Sequence, residues 1–155
     1  MSKRQLFALF CASLFPWTLG SGLLPLLPVY ARELGANSTV AGLYLALVYV
    51  GLVAGALGAG VVSNRLGRRK LPHILAGAIA VPVVWGMGRV RSILGLTLLT
   101  AALWLLGGLS IALINILAGL CAEAQERGRV FGILGMAGGV AAILGGLSTG
   151  PAVDR

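Results

Sequence analysis

Five apolar runs, each about as long as a membrane is thick, occupy nearly the whole chain and constrain its fold more than any other feature. They lie at about residues 6–30, 40–63, 71–88, 92–120 and 130–152, separated by charges or turn residues. A hydrocarbon core of ~30 Å is crossed by ~20 helical residues. Inside lipid the backbone must satisfy its own hydrogen bonds, which leaves helices as the form such runs can take. The expected fold is therefore an all-α membrane protein with five transmembrane helices. Hydrophobic residues make up 58% of the 155 and charged residues 10%, with a mean hydropathy of +0.97. A water-soluble domain of this size cannot bury that much apolar surface, and no segment is left over to form one.

Local signals refine the spans. Gly35-Ala36-Asn37-Ser38-Thr39 reads as a turn, with Ser38 or Thr39 placed to cap the second helix. The third span carries Pro72 in its first turn and Pro82 inside, where a kink is expected. The first span begins like a secretory signal, with Lys3-Arg4 ahead of Leu6 to Phe15. No small-residue cleavage site follows, however, and Phe10 stands where a lipoprotein signal needs a small residue before Cys11. Cys11 and Cys121 lack metal or redox spacing and read as packing residues.

The net charge of +8 is distributed in short clusters between the spans. This is the pattern of loops facing anionic lipid rather than of a nucleic-acid surface. Counted by side, Lys3, Arg4, Arg65, Arg68, Arg69, Lys70, Arg127 and Arg129 stand against Arg32, Arg89, Arg91 and Arg155. The excess places the N-terminus in the cytoplasm of a cell with a bacterial-type inner membrane. Tyr30 and Trp85 then fall near the outer interface, where aromatic rings meet headgroups.

The loop after the second span, Gly60-Val61-Val62-Ser63-Asn64-Arg65-Leu66-Gly67-Arg68-Arg69-Lys70, joins four cations to a turn glycine. Its spacing resembles the signature G-x-x-x-D-R-x-G-R-R of the major facilitator superfamily, matched by Gly60, Arg65, Gly67, Arg68 and Arg69. Asn64 stands where the family has an Asp, so a charge-based latch against the other half of a transporter lacks its carboxylate. Glu123-Ala124-Gln125-Glu126-Arg127-Gly128-Arg129-Val130-Phe131-Gly132 is similar to the family's second cytoplasmic motif. Glu123 and Glu126 can pair there with the basic first loop, beside Arg127 and Arg129; an ordinary solvated charge run reads equally well. The exit of the first span, Gly22 to Ala36, is similar to the family's proline-containing first helix. Gly146-Leu147-Ser148-Thr149-Gly150-Pro151 partly matches the antiporter signature, although Asp154 and Arg155 replace its last two glycines.

Small residues recur four apart at Gly138, Ala142, Gly146 and Gly150, and at Gly51, Gly55 and Ala59 on the second helix. Such faces permit close approach of helices. Ordinary packing within the bundle accounts for them, while the resemblance implies packing against the other half. The resemblance also implies a substrate path lined by helices one and four. Mid-membrane candidates are Trp17, Thr18 and Ser21, with Thr97, Trp104, Gly108 and Asn115 at helical spacing.

No Asp, Glu, Lys or Arg lies within the central part of any span, so the usual mark of an ion relay is missing. His73 reads as an interfacial histidine. No paired carboxylates, Ser/His pair or metal cluster suggests an enzyme, a metal or a cofactor. The family builds transporters from two six-helix halves. The expectation is thus an incomplete N-terminal half, lacking the sixth helix and the C-terminal half. It would be a fragment of a secondary transporter that moves a small solute by alternating access. The alternative is a small non-transporting membrane protein that assembles through its glycine-rich faces.

Overall fold

The computed structural model describes residues 2–66 and 70–153, with side chains described as far as residue 147. Among the described residues six helices follow in order: α1 (Lys3–Leu23), α2 (Leu26–Glu33), α3 (Ser38–Leu66), α4 (Lys70–Met87), α5 (Ile93–Cys121) and α6 (Arg127–Val153). Among the described residues, five helices are long and apolar enough to cross a membrane, and α2 is too short to be one of them. The protein is an all-α membrane protein.

The first apolar run is not one helix. Its hydrogen bonding is interrupted at Leu24-Pro25, where both residues keep helical backbone angles, because Pro25 has no N–H to return to the preceding turn and Pro28 removes the next one but two. A continuous apolar sequence hides this break. Pro16 and Pro82, by contrast, sit inside helices that run through them unbroken.

Caps set the remaining boundaries. Ser2 and Gln5 form a reciprocal capping box at the start of α1. α3 is capped by Asn37, whose Oδ1 accepts from the Val40 N–H at 2.9 Å, rather than by Ser38 or Thr39. Ser92 Oγ accepts from Gly95 N–H at the start of α5. Gly35, at φ +88°, takes the left-handed turn that ends α2, while Ala36 N–H reaches back to Ala31 O at 3.0 Å.

Two helix pairs dominate the packing, α3 on α5 and α1 on α6, with α4 against the outside of α5. Along α3 the buried positions Ala41, Tyr44, Val48, Gly51, Gly55, Ala59 and Ser63 form one stripe at three- and four-residue intervals. Gly55 lies so near α5 that a methyl group there would run into the carbonyl oxygen of Leu105. Gly108 presses on Leu52 O in the same way. Gly22 and Gly145 bring α1 and α6 together backbone to backbone. Lipid tails supply no hydrophobic drive between helices, so these seams rest on close contact and on buried hydrogen bonds.

The core divides along the membrane normal. One cluster gathers Leu27, Tyr44, Val48, Met87, Leu96 and Trp104 toward the α2 end, and a second gathers Ile114, Ala118, Val130 and Leu134 toward the opposite end. Between their depths the bundle is hollow.

Candidate substrate cavity

The hollow has two parts. The first, about 180 Å³, is bounded by α1, α3, α4 and α5. The second, about 260 Å³, lies between α1, α5 and α6. Trp17 and Ile111 line both.

The first cavity is built from aromatic rings and small residues. From α1, Phe15, Pro16, Trp17, Gly20 and Ser21 border the space. From α5 come Trp104, Gly107 and Ser110, at the spacing of one helical face. Tyr49 of α3 and Ala76, Gly77 and Ala80 of α4 complete the wall. No charged side chain borders it. An ion here would find aromatic faces and hydroxyls but no opposite charge, at a cost of several kcal/mol in hydrocarbon.

Of the residues expected to line a substrate path, the structure brings Trp17, Ser21 and Trp104 to the first cavity and Asn115 to the second. Three others are elsewhere. Thr18 lines neither. Thr97 is half-buried and spends its hydroxyl proton on Ile93 O at 2.7 Å. Gly108 faces α3 instead of the cavity, because close approach to Leu52 O uses the space its missing side chain leaves.

Ser110, Gly107, Tyr49 and Phe15 were not anticipated from the sequence. Trp104, Gly107 and Ile111 stand at i, i+3 and i+7 and all border the cavity, which was a readable signal. Of the run 104, 108 and 115, Trp104 borders this cavity and Asn115 the second, while Gly108 turns to α3.

The small-residue faces also divide. Gly51 and Gly55 are consumed within this chain, against Ala101 O and Leu105 O, and so present nothing to a second half. Of the two readings of these faces, packing within the bundle is the one that Gly51 and Gly55 follow here. On α6, Gly138 lies against the Trp17 ring, 3.7 Å from where its Cβ would be, while Ala142 and Gly146 are exposed with open space beyond Gly146. Gly150 lies in the part of α6 whose surroundings fall outside the described residues.

At the α3–α4 turn, Asn64 and Arg65 are exposed and Gly60 is half-exposed with nothing near it. Gly67, Arg68 and Arg69 lie outside the described residues, as does any pairing of Glu123 or Glu126 with them. Glu123, Glu126, Arg127 and Arg129 are exposed in the α5–α6 connection. At the opposite end, Tyr30 Oη donates to Val90 O at 2.7 Å and ties α2 to the α4–α5 loop. Arg89 stacks its guanidinium 3.3 Å over the Trp85 ring.

Cys11 and Cys121, read as packing residues, are exposed within this chain. Among the described residues no cluster of His, Cys, Asp and Glu is placed to hold a metal ion.

Comparison with curated proteins and with solved structures gives no match. The family model of the Major Facilitator Superfamily matches residues 6–153, which covers every spanning helix. With its five apolar helices and its family match across them, the chain belongs to the major facilitator superfamily of membrane transporters.

Proposed function

We propose that this chain supplies the first five spans of a secondary transporter that moves a small solute by alternating access. The solute occupies the hollow between α1 and α5, and a second helical half completes the path. The observation that carries this reading is the aromatic cavity at mid-depth in a bundle of this family, with Trp17, Ser21 and Trp104 on its wall. Movement comes from rocking of this unit against the second half across the exposed face of α6 at Ala142 and Gly146. The α3 glycines hold the unit rigid while it rocks.

The N-terminus and the basic α3–α4 turn face the cytoplasm of a bacterial-type cell, following the excess of Lys and Arg at that end. With no carboxylate inside the described spans, energy coupling belongs to the second half. The chain carries its solute unchanged and performs no bond chemistry.

The test is uptake or efflux of a solute panel in cells expressing the complete reading frame, against Trp104→Ala. A solute whose flux depends on Trp104 supports the reading. A stable, folded product that moves nothing in the panel, and that associates with other membrane proteins, supports assembly through its glycine faces instead.

A further inference from the structure

Two polar side chains on the cavity wall are nine-tenths buried and have nothing to bond to. Trp104 is 7% exposed and Ser110 5%. Neither is engaged in a hydrogen bond within the protein. Nor are their polar atoms sealed away, because Nδ1 of His73 is the one fully enclosed unpartnered side-chain atom among the described residues. The Trp104 N–H and the Ser110 hydroxyl therefore keep accessible surface, and both residues line the cavity. Leaving both unmet inside hydrocarbon is costly, and a ligand that meets them recovers that cost.

We propose that this cavity binds an uncharged, single-ring aromatic molecule that carries a hydrogen-bond acceptor, such as an aryl ketone. Three observations set the class. The volume, about 180 Å³, is near the ~150 Å³ of an engineered apolar cavity that holds benzene. The rings of Phe15, Trp17, Tyr49 and Trp104 offer faces and edges for stacking. An indole N–H can only donate, so the ligand must accept; a quaternary ammonium, which also favours aromatic cages, has no acceptor to give it. An anion is disfavoured by the absence of any cation on the wall.

The proposal deepens the transporter reading by naming what this half itself holds. Because every residue named on the cavity wall comes from this chain, binding is measured without transport. Failure to bind then leaves the transporter reading standing, and failure to transport leaves the binding site standing.

The experiment is equilibrium dialysis of radiolabelled acetophenone against the full chain in lipid nanodiscs, with empty nanodiscs as the partition control. Toluene, benzyltrimethylammonium and benzoate serve as comparison probes. The expected result is saturable binding of acetophenone at one site per chain, with toluene weaker by about fivefold for each hydrogen bond it cannot accept. Neither ion should bind above the control. Trp104→Phe keeps the ring and removes the donor, so it should weaken acetophenone about fivefold and leave toluene unchanged. Ser110→Ala should act in the same direction, and removes so little that folding is preserved. Uptake that never exceeds empty nanodiscs, as when lipid chains fill the space, would overturn the proposal. So would benzyltrimethylammonium binding as tightly as acetophenone, or equal losses for acetophenone and toluene in both variants.

Discussion

The Tyr44 hydroxyl donates to Thr100 Oγ1 across the α3–α5 seam at 2.9 Å, and its direction is fixed by a second bond. Thr100 commits its only proton to Leu96 O at 2.7 Å, so it can only accept from Tyr44. The two side chains are therefore not equivalent. Tyr44→Phe removes a donor and leaves Thr100 bonded to the backbone, at a cost of about 1 kcal/mol. Thr100→Val leaves the Tyr44 hydroxyl, on a residue 2% exposed, without a partner, at a cost of about 2 kcal/mol. Unfolding of the two variants in bicelles should place Thr100→Val below Tyr44→Phe, and the reverse order would refute the direction assigned.

Glycines on α3 should separate sharply by position. Gly55→Ala forces a methyl group into Leu105 O and the Leu109 backbone, which cannot yield without parting the helices. A loss of about 2 kcal/mol or more is expected. Gly58→Ala meets nothing within 4 Å and should be neutral or stabilising by up to about 1 kcal/mol through helix propensity. Thermal stability of the two purified variants decides the matter.

Gly60 gives a different kind of test. Its surroundings within this chain are open, so Gly60→Leu should leave insertion and stability unchanged. In the complete transporter the same change should abolish flux, because the added side chain then obstructs whatever approaches this turn during the cycle. Unchanged flux would remove the α3–α4 turn from the gating apparatus.

Orientation can be read with thiol chemistry. A membrane-impermeant maleimide should label Ser38→Cys from outside in a Cys11→Ala, Cys121→Ala background, since Ser38 is exposed and Asn37 retains the cap. In the native chain Cys121, exposed at the end of α5, should label only after permeabilisation. Labelling in the opposite order would invert the topology.

Much of this architecture was legible because span length and charge clustering are coarse properties of composition. Five apolar runs and eight cations on one side need no knowledge of which face of a helix points inward. The face itself was harder to read. α5 is apolar all round, so periodicity alone could not choose between the row through Gly108, which meets α3, and the row through Gly107 and Ser110, which meets the cavity. Trp17 and Trp104 stood out because an indole at that depth is too far from the interface to anchor there, whereas among the hydroxyls Ser21 borders the cavity, Thr18 and Thr97 do not, and Ser110 was missed. Tyr49 was missed because nothing in the sequence marks which side of α3 meets the cavity. The break at Pro25 was invisible for a related reason, since hydropathy continues across it without change.

That break has a mechanical consequence. α1 is seated on α6 through Gly22 and Gly145, whereas α2 is pinned to the α4–α5 loop by the Tyr30 hydroxyl. One peptide junction, Leu24-Pro25, therefore lies between two separately anchored bodies. The prolines thus divide the first apolar run between two attachments, one to α6 and one to the α4–α5 loop.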